Sequence, residues 1–315
     1  MKIGKAAIGF IFLTFFYLGL LLWVDEKHHV ITQIHYLVHA IPFLLAVSLV
    51  SYLSRYLRWR WLLSRSGYSV DWVYGFIAYL SGFAFTATPG KVGELIRIRY
   101  FSRVGVPTNI SFGAFIYERA LDLIVVLLLA SLVISRSDLL MLALSFVVIF
   151  IGLLVGIALN PKLLTKLSTF LGRYYWVKLA KLFLVVRDAL SSCRFWCNPL
   201  DLIVSMGYGV FAWALTSYGF MWLLRDLGVS IQPLEAFTIY PLAMLAGAAS
   251  LLPGGVGSTE LTIVLLLGIY GVTASIAMIA AIGIRFATIW FAVLTGFICL
   301  GILEIWKSKL DKPNI

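Results

Sequence analysis

Thr88-Pro89-Gly90-Lys91-Val92-Gly93-Glu94 recurs 164 positions later as Leu252-Pro253-Gly254-Gly255-Val256-Gly257, and this pair of stretches decides the fold. A proline forces its predecessor out of helix, and the glycines permit backbone turns that other residues avoid. Each stretch ends an apolar segment, 72–87 in the first case and 234–252 in the second. Both segments therefore read as the entering limb of a broken, re-entrant hairpin, with its tip at Pro89–Gly93 or Pro253–Gly257.

The setting of these hairpins is a membrane. Of 315 residues, 62% are hydrophobic and only 12% charged, about half the charge that a soluble domain uses to cover its surface. Apolar runs at 6–24, 37–57, 108–134, 139–159, 199–224 and 273–303 are long enough for full crossings, which need roughly 20 residues. The run at 6–24 has no cleavage site after it and reads as a transmembrane helix, not a signal peptide. The net charge of +11 is parcelled between the runs, the pattern of a cytoplasmic membrane face and not of a nucleic-acid groove. Cys193, Cys197 and Cys299 give no disulfide framework, and the cluster His28, His29, His35 and His39 lacks partners suited to a metal. No metal or other cofactor is expected.

Charge placement fixes the expected topology. Arg55, Arg58, Arg60 and Arg65 follow the second run and place that connection inside, together with the N-terminus. If 72–87 crossed fully, Arg97, Arg99 and Arg103 would fall outside, against the positive-inside bias. If it dips in and returns, they stay inside, as does the basic stretch 160–198. Within that stretch, 161–175 sets Lys162, Lys166 and Arg173 against Leu163, Leu164, Leu167 and Phe170, the pattern of an interfacial helix. Trp59, Trp61, Trp72, Tyr174, Tyr175 and Trp176 read as interface anchors. Both termini come out cytoplasmic in a multi-pass protein of a prokaryotic inner membrane.

The halves repeat beyond their tips. Glu94-Leu95 recurs as Glu260-Leu261, and 25 residues past each glutamate stands an arginine inside an apolar run, Arg119 and Arg285. The first hairpin enters from inside and the second from outside, so the halves are inverted repeats, a transporter architecture. One transmembrane domain, 1–315, divides into a first repeat at 37–134 (hairpin 72–104), an amphipathic linker at 160–198 and a second repeat at 199–303 (hairpin 234–270). The fold class is all-α: about six full crossings plus two re-entrant hairpins. The competing account has the Pro-Gly clusters merely kinking helices; the matched glutamate-to-arginine spacing argues against it.

Ionised groups inside lipid are costly and usually functional. Arg119 lies about 12 residues, or roughly 18 Å, into its helix, and Arg285 lies equally deep from the opposite face. Glu118 and Asp122 flank Arg119, whereas Ile284 and Thr288 replace them beside Arg285, so Glu94, Glu260 or Asp122 should neutralise Arg285. Lys91, Arg119 and Arg285, with free amides at the broken-helix ends, form the expected phosphate cradle. Surplus carboxylates among Glu94, Glu118, Asp122 and Glu260 would balance it or carry a proton. The tip residues Pro89, Gly90, Gly93, Pro253, Gly254, Gly255 and Gly257 shape the backbone. The alternative is that the charges only pin the hairpins through buried salt bridges.

Pro89-Gly90-Lys91-Val92-Gly93-Glu94, Glu118-Arg119-Ala120-Leu121-Asp122, and Pro253-Gly254-Gly255-Val256-Gly257 followed by Glu260 stand in an order that resembles the lysylphosphatidylglycerol synthase transmembrane-region family. The resemblance covers about residues 40–305. Bifunctional members pair this region with an aminoacyl-transferase domain, and the region is implicated in flipping aminoacylated phosphatidylglycerol. Other members stand alone or are joined to glycosyltransferases that use polyprenyl-phosphate sugars. The resemblance implies a lipid translocase with Glu94, Glu118, Arg119, Asp122, Glu260 and Arg285 at matching positions, and the chain stops at Ile315 without the transferase domain. The expected function is thus non-enzymatic movement of a phosphate-bearing lipid, a modified phospholipid or a polyprenyl-phosphate-linked sugar, between leaflets. Its partners are anionic lipid head groups, with a second copy of the chain or a lipid- or glycan-modifying enzyme as candidate protein partners and no nucleic acid. An embedded lipid-modifying enzyme using Glu94 or Asp122 as base, or a non-transporting accessory subunit, are the competing functions. No nucleophile–base pair or acidic metal triad supports the enzyme.

Overall fold

A computed structural model describes residues 37–132, 160–173 and 177–310, with isolated positions between 141 and 156. The expected crossing at 6–24 and most of that at 139–159 lie outside the described residues, as do His28, His29, His35, Tyr174, Tyr175 and Trp176. The described residues are helical with turns between, and no strand occurs among them.

The first long helix, α1, runs Leu37–Arg65. The first hairpin follows as α2 (Trp72–Ser81), a 3-10 turn at Gly82–Phe85, the tip, and α3 (Ile96–Arg103). Asp71 starts α2 by accepting a hydrogen bond from the Tyr74 amide at 2.9 Å, satisfying one of the donors that every helix start leaves unpaired. Helix α4 spans Thr108–Ala130. The linker forms α5 (Pro161–Arg173) and α6 (Val177–Cys193). The second half begins with α7 (Pro199–Asp226), and its hairpin is α8 (Pro233–Ala249), the tip, and α9 (Ser258–Ile269). Ala274–Arg285 (α10) passes through a π turn at Phe286–Trp290 into α11 (Phe291–Leu310).

Among the described residues three helices are long and apolar enough to cross a membrane: Leu37–Arg65, Pro199–Asp226 and the continuous Ala274–Trp306. Helix α4 has 23 residues, but Glu118, Arg119 and Asp122 interrupt its apolar run. The hairpin limbs have 10, 8, 17 and 12 residues, each shorter than the roughly 20 needed to cross a 30 Å core. Thr88 and Leu252 take extended ψ values of 152° and 147° before their prolines, and the helices break there as the steric rule for proline requires.

The two tips pack on each other. A Cβ on Gly254, whose φ is +62°, would lie 3.3 Å from the Ala87 Cα and 2.6 Å from the Ile289 Cδ1, so glycine makes this approach easiest and a small side chain there must displace the isoleucine end. The other contacts are reciprocal. Helix α2 of the first half packs on α11 of the second, and α8 of the second packs on α4 of the first, while α1 and α7 pair at the centre. Small residues permit these contacts, as membrane interfaces favour. Ser48, Ser51 and Ser54 on α1 donate to the carbonyls of Ala287, Ala212 and Tyr208. A Cβ on Gly296 of α11 would run into the backbone of Phe83 and Ala84.

Two readings of the sequence are corrected here. Trp59 is not an interface anchor: it is fully buried, with its ring against Tyr79 and Phe101. Arg55 and Arg58 do not sit in a connection, because α1 continues unbroken to Arg65 and turns them inward. In the linker, α5 and α6 pack together and α6 also packs along α4. Cys193 and Cys197 are both free thiols. Burial and the neighbouring Cys197 push the Cys193 thiol up to about 12, which keeps it from the reactive thiolate at neutral pH.

Candidate functional site

Beside the second tip, the structure closes a salt bridge. Arg285 Nε lies 2.9 Å from Glu260 Oε1, and its Nη2 donates to the Gly254 carbonyl at 2.6 Å. Glu260 Oε2 in turn accepts from the Gly257 amide at 2.8 Å, capping α9. Glu260 is thus the carboxylate that neutralises Arg285, one of the three the sequence offered. With Nη1 turned to the Met244 sulfur and the residue only 1% exposed, Arg285 is committed to the tip.

The equivalent pair in the first half is not joined. Glu94 accepts from the Thr86 hydroxyl at 2.7 Å and lies 4.0 Å from Arg97. Arg119 turns instead to Asp122, at 3.2 Å. Asp122 is shared further: Arg58 Nη2 approaches Oδ1 at 2.8 Å and Arg55 Nη1 approaches Oδ2 at 3.0 Å. Glu118, expected to serve Arg119, pairs with Arg58 at 3.3 Å and with Arg97 at 3.1 Å. The Arg97 guanidinium lies between the rings of Trp59 and Tyr79, 4.1 and 4.5 Å from their centroids, a cation–π setting that offsets part of its burial.

Lys91 stands in front of this network, with Arg119, Glu94, Arg55 and Asp122 as electrostatic neighbours. Its ammonium forms no hydrogen bond or ion pair with a described residue. Five cations (Arg55, Arg58, Lys91, Arg97, Arg119) therefore face three carboxylates (Glu94, Glu118, Asp122), which reverses the carboxylate surplus expected from the sequence. The donors are in surplus too. Arg58 Nη1, Arg97 Nε and Nη1, and Arg119 Nε are buried without a hydrogen-bond partner, against one such acceptor, Glu94 Oε2, an uncommon and costly condition for charged groups.

Several of the tip amides expected to meet a phosphate are already taken. The amide of Lys91 donates to the Thr88 carbonyl, and that of Gly93 to the Thr88 hydroxyl. Those of Gly255, Val256 and Gly257 are taken by Leu252, Pro253 and Glu260. Backbone polar groups away from water must be paired, and these five are paired within the tips. What they leave for an anion is chiefly side-chain nitrogen.

Reading from sequence finds Lys91, Glu94, Glu118, Arg119 and Asp122, which the structure brings together; it places Arg285 in one cradle with Lys91 and Arg119, whereas the structure ties Arg285 to Glu260 and Gly254 at the second tip. It missed Arg55, Arg58 and Arg97, which were read as cytoplasmic charges. The missed signal is periodic. Ser48, Ser51, Arg55, Arg58 and Leu62 fall three or four apart on α1 and mark its inward stripe.

No solved structure matches this chain. A membrane protein of the UPF0104 group from Methanocaldococcus jannaschii is 24% identical over 277 residues, an alignment covering 82% of each chain. The model of the lysylphosphatidylglycerol synthase transmembrane region matches residues 5–296. With that match over most of its length, this chain is a member of the lysylphosphatidylglycerol synthase transmembrane-region family.

Proposed function

We propose that this protein moves a phosphate-bearing lipid between leaflets, with the head group held at the first tip by Lys91, Arg119 and Arg55. The observation that carries the reading is the contrast between equivalent pairs. Glu260 and Arg285 are joined in a salt bridge, while Glu94 and Arg119 are close charged neighbours that make no direct bond, with an unpaired Arg119 Nε and the partnerless Lys91 ammonium beside them. An acceptor-only, multidentate anion supplies what such a site lacks, and phosphate fits arginine's fork. Arg285 becomes a positioning residue that holds the second tip against the first. The hairpins, in this reading, are re-entrant from opposite faces, and lipid tails stay in the bilayer while the head group passes the tips. The basic helices α5 and α6 then lie on the anionic cytoplasmic leaflet.

The test is leaflet exchange of a labelled phospholipid or polyprenyl phosphate in proteoliposomes. Arg119→Lys keeps the charge but loses the fork, and charged hydrogen bonds of about 1.5–3 kcal/mol translate into a roughly ten- to hundredfold loss of rate. Its melting temperature should stay near that of the wild type. Full exchange activity in Arg119→Lys and in Lys91→Gly together would remove the phosphate cradle and leave the charges as structural ties.

A further inference from the structure

We infer that the first-tip site is built for a doubly charged phosphate, a monoester or diphosphate at the end of a lipid, in preference to a singly charged phosphodiester. The inference rests on the translocation reading above and adds the charge class of the cargo. Among the described residues the bonded network carries one more positive charge than negative, and Lys91 beside it makes two. The arrangement also separates the signs. Glu94 and Glu118 are fully enclosed and the Asp122 side chain is 7% exposed, while Arg55 at 11% and Arg119 at 15% form the rim together with half-buried Lys91. Arg58 and Arg97, both enclosed, offset most of the carboxylate charge from behind. A ligand at the rim therefore meets Lys91, Arg55 and Arg119 first, in a setting where water screens poorly.

Two uncompensated charges in a low-dielectric site are costly until matched, and a dianion matches both. A phosphodiester neutralises one and leaves the other stranded. A zwitterionic head group adds an ammonium beside Lys91 and matches neither. The unpaired Nε of Arg119, with the Lys91 ammonium beside it on the rim, points the same way in hydrogen bonds, since a terminal phosphate presents three acceptor oxygens and a diester fewer. Lys91 distinguishes this site from its repeat: the equivalent position at the second tip is Gly255, and the charge there is already neutral.

The experiment compares phosphatidic acid with phosphatidylglycerol of identical chains, binding the full-length protein in detergent at pH 8, with inorganic phosphate as a third probe. Phosphatidic acid should bind roughly tenfold more tightly or better, the effect of one added matched charge. Lys91→Gly removes one surplus charge and should bring the two affinities to within about threefold of one another, with no loss of melting temperature. Equal affinities in the wild type, or a preference for phosphatidylglycerol, overturn the inference while leaving the translocation reading in place. Binding of neither lipid sinks the translocation reading itself. Displacement of phosphatidic acid by inorganic phosphate at equal concentration assigns the dianion to a soluble source and overturns the lipid part of the inference.

Discussion

Lys91 and Gly255 hold equivalent places in the two tips, and both take a left-handed backbone, with φ of +55° and +64°. Glycine adopts that conformation freely, whereas a side chain there costs about 1–2 kcal/mol. Strain of this kind persists where function requires the side chain. Lys91→Gly should therefore unfold within about a degree or two of the wild type, because relief of strain offsets the extra freedom glycine gives the unfolded chain. Lipid binding should fall nonetheless. A large drop in melting temperature would mean that the lysine holds the tip together. Arg285 predicts the opposite pattern. Glu260→Ala strands a buried guanidinium and should cost about 3–5 kcal/mol, while the double variant Glu260→Met with Arg285→Met recovers much of that loss. Thermal unfolding of the single and double variants in one detergent checks both numbers.

Broken helices are the elements that sequence reveals most directly. Two Pro-Gly clusters 164 residues apart locate both tips, because steric exclusion by proline acts on neighbours in the chain. The limits of α4, α7 and the two hairpins fall within a few residues of their apolar runs for the same local reason. The interior charge network was legible only in part, since a side chain's direction depends on where its helix ends. Arg55 and Arg58 look like a loop's charges when α1 is stopped at residue 57, and like a polar stripe when it runs on to Arg65. Arg97 resembles its neighbours Arg99 and Arg103 in sequence, and only the fold of α3 against Trp59 and Glu118 sets it apart. The seam between α11 and the first hairpin lies beyond sequence altogether. Gly296→Ala would push a methyl into the backbone at Ala84, which cannot move as a side-chain end would. We expect a loss of about 1–3 kcal/mol, seen as earlier thermal unfolding, with Gly301→Ala, where open space surrounds the glycine, as the silent control.

At the scale of the whole molecule, each half supports the other through exchanged contacts, and the tips meet where the halves join. If a head group passes between them, the tips must part. A Cβ on Gly254 would stand 3.5 Å from that of Ala87, inside the span of a disulfide. In a chain with its three native cysteines replaced by serine, Ala87→Cys with Gly254→Cys should cross-link on oxidation and stop leaflet exchange, and reductant should restore it. Undiminished exchange in the cross-linked protein would show that the tips stay together during transport. The joined Glu260–Arg285 pair has a further consequence, which concerns how often each resting orientation is visited. In a transporter made of two inverted halves with identical tips, opening towards either leaflet would have the same free energy, and both orientations would be equally populated. Here one tip is closed by the Glu260–Arg285 pair, and the other carries unpaired donors. A difference of only 1 kcal/mol biases the resting ensemble roughly fivefold, and the apparent affinity measured from each side of the bilayer shifts by the fraction of molecules facing that side. If the protein transports lipid as proposed, cargo offered from the two leaflets should therefore half-saturate exchange at different concentrations.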